Sequence, residues 1–294
     1  MRLLVGYLAT DSGADGVALG IRLARTLGAS LDIATVVPPG DAAGYDDVVA
    51  TAAQEWLTEA AATVPDDIAT ATHVVVDESF ALGLIDLAER LDVEAIVVGA
   101  ARDGLLGRHS IGSVTTELLH SSPVPLALAP RGARLATTAR IRQVTCAIGT
   151  RSGAGLLLDT AVRAARATMR GEDGEADPVP LRLVSLIALD PLPVSLPDAD
   201  EVRYNRARAH TQALLAAAEA ALPAGFPVTT EVGEGPTIED AAAGIDWQDG
   251  DLIMVGSSRL AMYRRLFLST TAAKMLRVLQ IPMVVVPNVE QERT

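Results

Sequence analysis

The chain has 294 residues, 49% of them hydrophobic and 21% charged, a globular balance that excludes a disordered chain. At about 100–200 residues per domain, this length predicts two domains, each large enough to bury a core. A formal net charge of −13 makes the chain a poor non-specific ligand for nucleic acid or an anionic membrane, so neither is an expected partner. The charge is uneven: the first 132 residues hold 18 acidic against 7 basic side chains. Aromatic residues are 3%, so the cores must be built from Val, Leu, Ile and Ala. A single cysteine, Cys146, excludes an intrachain disulfide and reads as a small buried residue. The opening segment does not read as a signal peptide, and no apolar run is long enough to span a membrane. A cytoplasmic location is the simplest expectation.

In chain order, residues 3–7 predict a strand, 12–27 a helix and 31–37 a strand. Residues 41–63 predict a helix, 73–76 a strand, 79–91 a helix and 95–98 a strand. A loop, a helix from about 110 to 121 and a strand at 124–129 close the first half. The second half repeats the order. Strands are predicted at 144–148, 181–189, 228–232, 252–255 and 283–286, and helices at 153–168, 200–222, 237–243 and 270–279.

Strands this apolar, separated by helices, are typical of parallel strands covered on both faces. The fold class is therefore α/β, as two tandem five-stranded parallel-sheet sandwiches with right-handed crossovers. The domains are expected at 1–132 and 141–290, joined by the polar stretch 131–140. The acidic insert 171–178 reads as a solvated surface loop.

The last strand-to-helix loop of each half carries the most chemistry. The first runs Gly99-Ala100-Ala101-Arg102, nine residues, then Gly112-Ser113. The second runs Gly256-Ser257-Ser258-Arg259, nine residues, then Ser269-Thr270. Identical spacing in two halves of one chain argues for duplication. Such loops leave the carboxyl end of a buried strand, where ligands of open α/β sheets bind. The helix that follows offers unpaired N–H groups and a positive dipole end, and glycine allows close backbone approach. Ser113 and Thr270 would donate to a phosphate oxygen or act as ordinary N-caps.

On these residues the chain resembles a tandem bacterial universal stress protein, over essentially its whole length. ATP-binding members of that family carry Gly-x2-Gly-x9-Gly-(Ser/Thr) in this loop. The resemblance implies a Rossmann-like fold of the adenine nucleotide alpha hydrolase-like type, with ATP, carrying its own Mg, as the ligand class. Gly99 and Gly112-Ser113 match the motif, and Arg102 replaces its second glycine. In the second half Gly256 matches, Arg259 and Ser269 replace the second and third glycines, and Thr270 keeps the hydroxyl. The family's aspartate after the first strand has its nearest match in Asp11, while Thr150-Arg151 stand there in the second half. Val37 would line an adenine pocket or be plain core. The first half is thus the better expected nucleotide site. Arg102 and Arg108, and Arg259, Arg264 and Arg265, would either fill the space of a phosphate chain or supply it with charge. The resemblance also implies pairing through the last strand, which a tandem chain would satisfy internally, with a homodimer as a further assembly.

Other signals fall short. There is no Walker-type loop. Residues 233–238 mimic a dinucleotide fingerprint, but Ile238 stands for its third glycine, so the run reads as a tight turn with Pro236 starting a helix. His73, His109, His120 and His210 show no metal-ligand spacing. No general base is positioned, so catalysis, including weak ATPase activity, has no support. The expected function is a stress-response protein binding ATP or another adenine nucleotide. The alternative is a nucleotide-free regulatory or scaffold protein acting through its surfaces.

Overall fold

The computed structural model describes residues 1–40, 45–100, 112–149, 154–166, 169–170, 176–177, 179–189, 197–257 and 268–287. The first copy runs β1 (Arg2–Gly6), α1 (Asp11–Leu27), β2 (Ser30–Val37), α2 (Tyr45–Ala61) and β3 (Thr70–Val76). It continues through α3 (Phe80–Leu91), β4 (Ala95–Gly99), α4 (Ser113–Ser121) and β5 (Leu126–Ala129). The second copy runs β6 (Gln143–Ala147), α5 (Ala154–Arg166), the short strands β7 (Met169–Arg170) and β8 (Ala176–Asp177), and β9 (Leu181–Ala188). Then follow α6 (Pro197–Ala220), β10 (Val228–Gly235), α7 (Ile238–Ala243), β11 (Asp251–Gly256), α8 (Thr270–Val278) and β12 (Met283–Val286).

Local chemistry sets the helix ends. Thr10 caps α1 by accepting from the Gly13 N–H, and Gly28 ends it in the left-handed region at φ 62°. Ser79 caps α3 in the same way, and Asp92 closes it at φ 51°.

The two expected sandwiches share one ten-stranded sheet, ordered β10-β9-β6-β11-β12-β5-β4-β1-β2-β3. Within each copy the strands of this sheet are parallel. At the seam β5 and β12 pair antiparallel, with Val284 opposite Ala127. The pairing through the last strand is thus made within the chain. It removes two wholly apolar edges, Leu-Ala-Leu-Ala and Met-Val-Val-Val, from exposure. Alternation along the strands feeds two cores. Leu3, Val5 and Ile33 face α1 and α2, while Leu4, Ile96 and Val98 face α3 and α4.

The polar linker is held at both ends. It forms a 3-10 turn at Ala133–Leu135. The fully buried Asp15 of α1 accepts from the Gly132 and Arg134 N–H groups at 2.7 and 3.0 Å, and from the Arg134 guanidinium. Asp249, on the turn before β11, accepts from the Thr137 N–H and hydroxyl at 2.8 and 2.7 Å. The Ile141 N–H donates to Thr26 Oγ1 at 2.9 Å.

Two local expectations need correction. Residues 233–235 are not a tight turn but the end of β10, and Pro236 precedes the N-cap Thr237 instead of opening α7. These glycines let the strand approach α7: a Cβ on Gly233 would lie 2.5 Å from Ala241 O, and one on Gly235 2.6 Å from Ala241 N. The described part of the acidic insert is not plain loop either, since β8 pairs antiparallel with β7.

Candidate functional site

In each copy the last βα loop and the first helix meet at the carboxyl edge of the sheet. The first copy closes there. A Cβ on Gly99 would lie 1.8 Å from Ser12 O, so the close approach that this glycine permits is made by the chain itself. Ser12 Oγ donates to the Ala100 carbonyl and fastens the contact. One turn further along α1, Gly16 lies so near β4 that its Cβ would sit 3.1 Å from Gly99 N. Gly16, Gly20 and Ala24, at spacing of four, form the strip that lets α1 settle on the sheet.

The second copy stays open. The matching strip on α5 is Leu157, Ala161 and Ala165, all buried. Leu157 stands where α1 has Gly16. A Cβ on Gly256 would meet nothing nearer than Leu157 Cδ2 at 3.7 Å, and one on Gly149 would meet nothing within 4 Å. A cavity of about 430 Å³ lies here, across the carboxyl ends of β6, β9, β11 and β12. Its floor is apolar, with Ile148, Leu157, Leu214, Val255 and Met275 among its walls. Ser185, Thr211, Ser257, Ser269 and Thr271 are its described hydroxyl-bearing lining residues, and His210 adds an imidazole. Its size falls within the range of about 300–1,000 Å³ usual for small-molecule sites.

The sequence-selected residues separate accordingly. Gly256 and Ser269 line the cavity. Thr270 does not, and it is exposed. The cap of α8 is Ser269, whose hydroxyl accepts from the Ala272 N–H, so Thr270 is the first helical residue. The same offset holds in the first copy: Gly112 is the cap, without a side-chain bond, and Ser113 opens α4. Asp11 begins α1 with its carboxylate on Arg134 at 2.9 Å, engaged with the linker. Val37 is buried at the end of β2. Arg102, Arg108, His109, Arg259, Arg264 and Arg265 lie outside the described residues. Cys146 is buried, and burial pushes its thiol up to about 12, which leaves it a core residue and not a nucleophile.

The family model of the universal stress protein family matches residues 1–130 and again 141–287. The chain belongs to the universal stress protein family. A universal stress protein of Mycobacterium bovis is 29% identical over 303 residues, covering 98% of this chain and all of that one. A second, from Mycobacterium tuberculosis, aligns to the same extent. A solved universal stress protein from Archaeoglobus fulgidus covers 99% of this chain and 97% of its own, with a TM-score of 0.62 at 16% identity. At that identity the likeness establishes the shared fold, the Rossmann-like tandem arrangement.

The cavity lining adds Ser185, Thr211, Ser257 and Thr271, which were not among the site residues selected from the sequence. The repeat itself held a signal for the first. Leu31 sits beside Leu3 of β1, and Leu181 beside Val144 of β6, so Thr35 corresponds to Ser185 and Val37 to Ile187. Both Val37 and Ile187 are buried, and Ile187 lines the cavity. At the opposite, amino edge of the sheet the same register exchanges charge. Asp32 binds Arg2 and His73 in the first copy, whereas Arg182 binds Asp251 at 3.0 Å and Glu231 at 3.2 Å in the second. Trp247 stacks against Arg182, 4.6 Å from guanidinium to ring centre. This network lies at the end of the sheet away from the cavity and is structural. No helix of the described residues is long and apolar enough to cross a membrane.

Proposed function

We propose that this universal stress protein is a ligand-binding stress-response protein and not a catalyst, with its site in the cleft of the second copy. The observation that carries the reading is the 430 Å³ cavity at the carboxyl edge of β6, β9, β11 and β12, at the strand ends where α/β sheets take ligands. An adenine nucleotide is the ligand class the family resemblance implies. The described lining suits its uncharged portion. Gly149 and Gly256 leave open space for it, and Ser257, Ser269 and Thr271 are the hydroxyls within the cleft for phosphate oxygens. Any Mg would arrive with the nucleotide. The first copy, closed by Ser12 and Gly16, supports the second as its structural partner. That closure favours a scaffold role for the first copy, in place of the nucleotide site expected there.

Calorimetric titration with ATP, paired with analysis of nucleotide released on denaturing the purified protein, tests this reading. Gly256→Trp is expected to abolish binding and Gly112→Trp to leave it unchanged. The reverse pattern would return the site to the first copy. Release of ADP during incubation would defeat the non-catalytic reading.

A further inference from the structure

Because β5 and β12 are joined at the seam, the sheet is left with two free edges, β3 in the first copy and β10 in the second. The edges correspond by register: Leu31 sits beside Thr70, and Leu181 beside Val228. In the first copy the Leu31 N–H donates to the Ala69 carbonyl and the Asp77 N–H to the Val37 carbonyl. Odd-numbered residues of β3 therefore turn both main-chain groups toward β2. Thr70, Thr72, Val74 and Val76 turn theirs outward, where they meet no partner among the described residues.

The two edges differ in protection. β10 carries Glu231 and Glu234 between and beside Gly233 and Gly235. Arg182 holds Glu231, and Tyr204 and Arg208 of α6 hold Glu234. Charged side chains are a common guard on an edge strand, and glycine weakens its pairing. β3 has no such guard. Its seven residues, Thr-Ala-Thr-His-Val-Val-Val, include no Asp, Glu, Lys, Arg, Gly or Pro. Its register with β2 runs through without a bulge, and Val76 is 62% exposed.

Symmetry names the occupant. A second β3 laid antiparallel about a twofold axis at His73 would set Thr72 opposite Val74 and Thr70 opposite Val76. Every outward N–H and C=O of both strands would then be paired. No carboxylates would face each other, and His73 on the axis is drawn back to Asp32 of its own subunit at 2.6 Å. The same operation on β10 would set Glu231 against its own twin. Antiparallel strand pairing is also how this chain already joins its two copies. Pairing at β3 leaves only the guarded β10 edges, so the assembly closes at two chains.

We propose that β3 is a homodimerisation edge, through which two chains pair antiparallel along Thr70–Val76 and extend the sheet across both subunits. This interface is independent of the ligand and its site. Each chain carries a net charge of −13, so association works against repulsion and tightens as salt is raised.

Sedimentation of the full chain is expected to show a monomer–dimer equilibrium with a dissociation constant on the order of 10 μM. Thr72→Pro removes an outward N–H that β2 does not use, so the subunit keeps its fold while association weakens by about tenfold or more. Thr230→Pro, the matching change on β10, is expected to leave association unchanged. Should Thr72→Pro not fold, Val76→Lys places a charge on the same edge at a position already exposed, with the same expected loss. Register is read by oxidation. His73→Cys is expected to cross-link the dimer, because facing residues of a non-hydrogen-bonded pair stand about 4.5 Å apart at Cα. Ala71→Cys, whose twin is displaced along the strand, is expected to stay uncross-linked, and the native Cys146 is buried. A wild type that is monomeric at about 200 μM would leave the edge to a strand of some other protein and overturn the proposal. Association that survives both edge variants, that is lost in Thr230→Pro, or that weakens as salt is raised would also overturn it, as would failure of His73→Cys to cross-link.

Discussion

The two copies share a strand order and a loop spacing, yet in one the first helix touches the last βα loop through Ser12 and Gly99, and in the other a cavity lies at that edge. The deciding difference lies outside the loops. In α1 a glycine at position 16 lets the helix descend until Ser12 touches Gly99; in α5 a leucine at position 157 occupies that line of approach. A glycine in a phosphate-type loop therefore has two meanings. Gly99 is demanded by internal packing, whereas Gly256 is not. Retention of the motif glycine is no measure of an open site.

That comparison can be broken in four places. The largest effect is expected at Gly99→Ala, where a Cβ 1.8 Å from a backbone oxygen forces α1 off the sheet. A loss of at least about 3 kcal/mol in urea unfolding is expected, beyond ordinary overpacking. Leu157→Ala comes next. It removes a buried side chain that walls the cavity, costs about 2–3 kcal/mol and weakens ligand binding measured by calorimetry.

Third is the tie between the copies at Asp249. Burial pushes this carboxyl up, but the Thr137 hydroxyl and N–H, with Arg22 and Thr138, outweigh it and hold its pKa below the usual 3.8. A lowered carboxylate pKa adds stability above the unfolded value, and that stability is lost as pH falls through the folded one. Asp249→Asn should cost about 1 kcal/mol at neutral pH, since the site is partly exposed, and should flatten the acid limb of a pH–stability curve below about pH 4. The smallest effect belongs to Gly256→Ala, expected within about 0.5 kcal/mol of wild type because its Cβ meets only ordinary contact. A large loss there would erase the contrast with Gly99.

Most of the fold was legible because its signals are local and repeated. Apolar runs such as 95–98 and 283–286 can be little but buried parallel strands, and Gly28 marks the end of α1 unaided. Strand lengths were less legible where burial fades. β3 begins at Thr70, three residues before its apolar run, because pairing with β2 carries it across an exposed stretch. The loops pointed to the carboxyl edge of the sheet, where the cavity of the second copy lies, and reading them alone favoured the first copy. The contrast of Gly16 with Leu157 appears only once the helices are packed. Thr211 gave no signal at all: a threonine in an alanine-rich helix acquires meaning only from the cavity beside it.

The antiparallel seam between β5 and β12 bears on how such a chain evolves. Two identical subunits that pair through an edge strand share every substitution, so one cannot lose its ligand without the other. Joining them in one chain keeps the partners at a high effective concentration and frees each copy to change alone. Here the pseudo-twofold pairing of Ala127 with Val284 has outlasted the likeness of the clefts it joins. The first copy can surrender its pocket to packing and still be retained, because the second needs an edge to lie against.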